Sequence, residues 1–274
     1  MNNRRVYFIS DRTGITSESL GESLLNQFEN VHFKKRTYPF IDTVEKAETL
    51  LAHIQEEVEE DKDWDRPLIF SSIVDRDVRK MINDYPAFHV DFYNTFITSL
   101  EEELQTEARR LTGVTHGLRS EESYDKRMEA VNFTLNHDDG ITDQGLQNAD
   151  VILVGVSRSG KTPTCLYLAL QYGLRAANYP LTPEDLSSDI LPRMLQNHQH
   201  KLFGLTIDSE RLHRIREERR PDSHYASLAN CQKETARAEE MFHRYQIPFL
   251  SSTHKSVEEL ATSILVACKL KRRF

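Results

Sequence analysis

Residues 150–162 constrain this chain more than any other stretch. Val151-Ile-Leu-Val154 is an apolar run with the length of a buried strand, and it leads into Gly155, four further residues and Gly160-Lys161-Thr162. This is the G-x-x-x-x-G-K-[ST] spacing of a phosphate-binding loop. The glycines let the main chain turn tightly and bring N–H groups close to phosphate oxygens. Residues 164–172 carry a helical pattern closed by Gly173, and that helix points the positive end of its dipole at the anion. The residues expected to wrap a nucleotide phosphate are Gly155, Val156, Ser157, Arg158, Ser159, Gly160, Lys161 and Thr162. Lys161 supplies a mobile positive charge, and Thr162 a hydroxyl suited to Mg²⁺.

A loop of this kind needs a parallel sheet around it, and the rest of the chain supplies the pattern. Strand and helix signals alternate through residues 6–83, then restart at Val151. That alternation predicts an α/β protein with mostly parallel sheets. Residues 91–107 and 122–136 read as two helices between the halves, and the polar, glycine-bearing link at 141–149 suggests a boundary near residue 145. The expected organisation is an N-terminal α/β domain with a helical extension, 1–145, and a C-terminal P-loop domain, 146–274.

Composition excludes several classes of function. The net charge of -8 argues against a general nucleic-acid binder. Cys165, Cys231 and Cys268 form no C-x-x-C pair and sit in helical patterns, as core thiols of a reducing compartment would. No signal peptide and no membrane-length apolar run is legible, so a cytoplasmic location is expected. The histidines lack metal-cage spacing, and no N-K-x-D guanine-reading motif is present.

Four further places carry candidate chemistry. Asp11, Thr13, Gly14 and Thr16 follow the first strand, where open α/β sheets bind ligands, although an ordinary capped turn fits as well. His137-Asp138-Asp139-Gly140 invites an acid–base or metal reading, although its residue types fit a polar turn between domains somewhat better. Asp208 ends an apolar strand, where it could orient a metal, accept a proton or simply cap the helix that follows. The basic run 211–220 puts Arg216 with Arg219 or Arg220 on a helical face able to meet phosphates, or to pair with Glu217 and Glu218 at the surface.

Taken together, these segments resemble one family, the phosphoenolpyruvate synthase regulatory proteins, relatives of the plant pyruvate, phosphate dikinase regulatory protein. The resemblance runs through Phe8-Ile-Ser-Asp-Arg-Thr-Gly-Ile-Thr16, Thr134-Leu-Asn-His-Asp-Asp-Gly140 and Gly155-Val-Ser-Arg-Ser-Gly-Lys-Thr-Pro-Thr164. It continues through Gly173-Leu-Arg-Ala-Ala-Asn-Tyr-Pro180, Lys201-Leu-Phe-Gly-Leu-Thr-Ile-Asp208, residues 211–220 and Ser256-Val-Glu-Glu-Leu-Ala261. It implies a bifunctional regulator with a kinase-like C-terminal domain. Such a protein uses ADP to phosphorylate a threonine of phosphoenolpyruvate synthase, inactivating it. With inorganic phosphate it removes that group as pyrophosphate. The nucleotide segment carries over to residues 155–162. Catalytic candidates are Lys161, Asp208, Arg216 and Arg219, with Mg²⁺ expected at Thr162. Asp11, Thr13, Thr16, His137 and Asp138 are candidates for the substrate phosphate. The same activities on pyruvate, phosphate dikinase, or a small-molecule P-loop kinase, remain the alternatives. A homodimer is one assembly compatible with the chain, which itself specifies none.

Overall fold

The computed structural model describes residues 2–60, 64–109, 121–138, 144–188 and 190–273. The chain divides into two compact units, Met1–Gly117 and Leu118–Phe274.

The first unit runs β1 (Asn2–Ser10), α1 (Ile15–Leu25), β2 (Val31–Tyr38), α2 (Val44–Glu60), β3 (Asp65–Ser72), α3 (Arg76–Asp84), β4 (Phe88–Asp91) and α4 (Phe92–Leu104). Its four strands lie in the order β2-β1-β3-β4, all parallel. Both faces of the sheet are covered, which explains the unbroken apolar run in β1. Tyr7 and Ile9 pack with Leu50 and Ile54 of α2 and Ile82 of α3. Val6 and Phe8 pack on the other face with Leu25 of α1 and Phe92 of α4. Pro67 falls where the β1–β3 register shifts between Arg4 and Val6, so its missing N–H breaks no regular ladder bond. The sequence pattern did not announce β4, because a four-residue edge strand is too short to show a period.

The second unit begins with α5 (Glu121–Asn136) and a 3₁₀ turn, Leu146–Asn148. It continues with β5 (Val151–Val156), α6 (Lys161–Tyr172), β6 (Ala176–Leu181), α7 (Pro183–Ser187), α8 (Arg193–Gln196) and a 3₁₀ turn at Gln199–Lys201. It ends with β7 (Leu202–Thr206), α9 (Ser209–Arg219), α10 (Leu228–Arg244), β8 (Phe249–Ser251) and α11 (Val257–Ala267). The strand order is β6-β5-β7-β8, again all parallel. Among the described residues the fold is thus α/β with two four-stranded sheets, and the expected parallel α/β class holds. Val151, Ile152, Leu153 and Val154 are wholly buried, alternating between the two core clusters that flank the sheet. Truncating any one of the larger of these to alanine would cost roughly 2–5 kcal/mol.

One expectation about organisation differs from the structure. The sequence pattern assigns the helix at 122–136 to the N-terminal half, with the boundary near 145. Instead α5 packs on α6 and β6, burying Ala130 and Thr134, and the compact second unit starts before this helix. The link at 141–149 resembles a domain boundary in its polar, glycine-bearing composition, but both of its ends belong to the same unit.

Candidate phosphate-binding site

The phosphate loop leaves β5 at the carboxyl edge of the sheet, where the strand order reverses between β5 and β7. That crevice is the usual ligand position in such sheets. Gly155 is required by close approach, since a Cβ there would sit 2.1 Å from the Leu205 carbonyl oxygen. Gly160 is required by conformation, with φ 89° as the N-terminal cap of α6. No side chain caps this helix, so its first-turn N–H groups are left for an anion. Arg158 also takes a positive φ of 76° and is exposed on the outside of the loop. Lys161 is buried, and its ammonium donates to the Val156 carbonyl at 2.8 Å, folding back over the loop. Ser159 is wholly buried, and its Oγ has no hydrogen-bond partner among the described residues.

Thr162 is met by a carboxylate that precedes the whole motif in sequence. Its hydroxyl donates to Asp138 Oδ1 at 3.0 Å. Asn178, in β6 and almost wholly buried, donates through Nδ2 to the same Oδ1 at 2.5 Å and to Thr162 Oγ1 at 3.0 Å. The neighbouring residue locks this arrangement. His137 stacks on Phe133 with centroids 4.0 Å apart, and its ring nitrogens lie 2.8 Å from the Phe133 carbonyl and 2.9 Å from that of Gln144. The His137 carbonyl accepts from the Asn178 main chain at 3.0 Å. Cys165 lies in the field of both charges. Burial pushes its thiol well above the ordinary range, Asp138 adds to that and Lys161 opposes it, so Cys165 is a protonated core thiol.

A second cluster holds the loop from outside. Arg216 is completely buried. Its Nη2 donates to the Ser157 carbonyl at 3.0 Å and to Glu234 Oε2 at 2.7 Å. Its Nη1 donates to the Tyr225 carbonyl at 3.1 Å, and the guanidinium stacks 4.1 Å from the Tyr225 ring. The Tyr225 hydroxyl donates to Ser157 Oγ at 3.0 Å.

These positions sort the candidates. The structure brings Asp138 and Thr162 together beside Lys161. His137 is adjacent, but both its nitrogens face main-chain carbonyls, so it orients the turn and offers no free nitrogen to a phosphate. Arg216 is not presented to a phosphate either; it positions the loop through Ser157. Arg219 is exposed on the last turn of α9. Asp208 caps α9, accepting from the Glu210 and Arg211 main chain at 3.1 and 3.0 Å. In the other unit, Asp11 is buried and accepts from the Val74 main chain at 3.0 Å, and burial raises its carboxyl above the usual range. That carboxylate ties β1 to the segment after β3 and is not offered to an anion. Thr13 and Thr16 are exposed beside it. Asp139, Gly140 and the glycine- and histidine-bearing loop at 111–120 lie outside the described residues.

Sequence reasoning missed Asn178, Tyr225 and Glu234. Only Asn178 left a signal, as an amide inside an otherwise apolar strand. No group of three or more His, Cys, Asp or Glu able to hold a metal occurs among the described residues. None of their helices is long and apolar enough to cross a membrane.

A protein of Neisseria meningitidis is 57% identical over 271 residues, covering 99% of this chain and 98% of its own length. One of Laribacter hongkongensis is 56% identical over 272 residues, and one of Dichelobacter nodosus is 55% identical over 274, the full length of both chains. All three carry the name of a phosphoenolpyruvate synthase regulatory protein. The family described as kinase/pyrophosphorylase matches residues 6–265, nearly the whole sequence. The chain therefore belongs to the kinase/pyrophosphorylase family.

Proposed function

We propose that this protein is an ADP-dependent regulator of phosphoenolpyruvate synthase. In one direction the β-phosphoryl group of ADP passes to a threonine hydroxyl of the synthase, giving AMP and an inactive phosphoprotein. In the other, inorganic phosphate attacks the phosphothreonine, giving pyrophosphate and the free hydroxyl. The observation that carries this reading is the uncapped, cation-lined loop at residues 155–162, in a chain whose relatives are named for that target. The reading places the chain in the cytoplasm with its substrate protein.

Phosphoryl transfer asks chiefly for positioning and for charge stabilisation. The main chain from Ser157 to Thr162 cradles the diphosphate. Lys161 moves from the Val156 carbonyl onto the group in transfer. Arg158 and Arg219, both exposed, supply charge to the incoming phosphate or phosphothreonine. Arg216 and Tyr225 keep the loop in shape through Ser157. The oxygen set around Thr162 fits Mg²⁺, since the hydroxyl proton is committed to Asp138 and leaves a lone pair for the ion. When bound, Mg²⁺ would neutralise phosphate charge.

Incubation with ADP or ATP, with and without purified synthase, tests the reading. Threonine phosphorylation is expected only with ADP and the synthase together. Transfer from ATP to a free metabolite would replace it with a small-molecule kinase.

A further inference from the structure

We propose that Asp138 is the carboxylate that holds the divalent cation at this phosphate loop, acting with Thr162. The inference rests on the ADP reading and goes beyond it, because it names the residue on which the metal dependence hangs.

Charge balance at the loop points to a cation. A carboxylate 3.0 Å from the hydroxyl of the residue next to Lys161 lies beside the expected diphosphate. Two anions at that range repel each other unless a cation lies between them. An acid in this place therefore makes sense as half of a cation site.

The protons and lone pairs at the site leave room for one. Thr162 has one hydroxyl proton, and it goes to Asp138. Asn178 occupies one Oγ1 lone pair, leaving the other. Both protein hydrogen bonds to Asp138 land on Oδ1, so Oδ2 has no protein donor among the described residues. Asn178 Oδ1 is also buried without a partner among the described residues, an unmet acceptor that water on a cation would satisfy. The available donors are all hard oxygens. Mg²⁺ prefers such a set, holding one or two carboxylates, substrate phosphates and several waters.

The carboxylate is also held rigidly. Asp138 is fixed by Asn178, and the preceding residue is clamped by Phe133, Gln144 and the Asn178 main chain. The alternative acid, Asp208, spends Oδ1 on capping α9 and is exposed. The cation carboxylate thus comes from upstream of the loop's own strand.

Calorimetric titration of ADP into the full-length protein, with Mg²⁺ and with EDTA, tests this without reference to turnover. For the wild type, Mg²⁺ is expected to tighten ADP binding by about tenfold or more. Asp138→Asn keeps an oxygen for Thr162 and Asn178. It should bind ADP in EDTA at least as well as wild type, yet gain less than about twofold from Mg²⁺. Thr162→Val should lose the same gain, and serves if Asp138→Asn does not fold. Asp208→Asn should keep the gain in full. A full Mg²⁺ gain in Asp138→Asn overturns the inference, and would leave Asp138 to the handling of protons. ADP binding in wild type that ignores Mg²⁺ overturns it as well, with the nucleotide reading intact. No ADP binding under either condition removes the nucleotide reading and this inference together.

Discussion

The two units are built on one plan and use it differently. Each has a four-stranded parallel sheet whose first strand lies second from the edge, between the second and third strands. Each first strand ends in a four-residue loop, 11–14 or 157–160, closed by a glycine in the left-handed region that caps a helix without side-chain help. The loops correspond position by position. Arg12 matches Arg158, Thr13 matches Ser159, Gly14 matches Gly160 and Thr16 matches Thr162. Two differences set the charge of the loops. The first loop opens with Asp11, whose carboxylate is turned inward onto the Val74 N–H, where the second has Ser157. Ile15, largely exposed, stands where the second loop has Lys161. The shared topology thus provides an anion-ready helix end twice, and two residues decide which one is cationic. In the first loop the negative charge is built in; in the second it is left for the ligand to bring.

The largest effect that would test this contrast concerns what holds the second loop. Arg216→Ala leaves Glu234 without its buried partner and Ser157 without its donor, and should lower stability by about 3–5 kcal/mol in urea unfolding. A loss below about 1 kcal/mol would mean that the cluster is not what shapes the loop. Next comes Lys161→Ile, which copies Ile15 of the first loop. It should cut phosphoryl transfer in both directions on the order of 10²–10³-fold in a protein of unchanged circular dichroism. If both activities survived, the difference between the loops would not lie at this position.

The smaller effects sharpen the contrast. Asp208→Ala removes the α9 cap and should cost about 1 kcal/mol while leaving ADP affinity unchanged. A loss of ADP affinity instead would return Asp208 to the site. Asp11→Asn should have the least effect, with a sign set by pH. Burial raises the folded-state carboxyl above its unfolded value, so ionisation works against folding as pH rises through the folded value. The amide avoids that burial of charge and still accepts from Val74. Its urea midpoint should exceed wild type by a small margin at pH 7, and the gain should vanish at a pH below the ordinary aspartate range, where both side chains are neutral. A lower midpoint at pH 7 would show that the charge itself holds the loop.

Much of this was legible in the sequence because it is local. The phosphate loop is a contiguous spacing, and the parallel sheets follow from strands alternating with helices. What was not legible depends on meetings across distance. The residue types left Asp138 open between a turn and a phosphate or metal contact, and Asp208 open between a helix cap and a site acid. Only the packing of α5 on α6 and β6 brings the first to Thr162, and only the cap geometry occupies the second. Arg216 looked available because a helix of arginines and glutamates reads as surface. Leu212 and Arg216 lie one turn apart on the same buried face, which composition alone does not reveal.

The separations within the site also set an order of assembly. Asp138, Thr162 and Asn178 lie within a 40-residue span and can meet as soon as β6 has been made. The grip on Ser157 comes 59 residues later from Arg216 and 68 residues later from Tyr225, and Glu234 is later still. During synthesis the ion-holding corner can therefore form while the outer wall of the loop is still in the ribosome, and short-range meetings of this kind are the fast ones. Full nucleotide affinity would then arrive late, as a sign that nearly the whole second unit has emerged and closed.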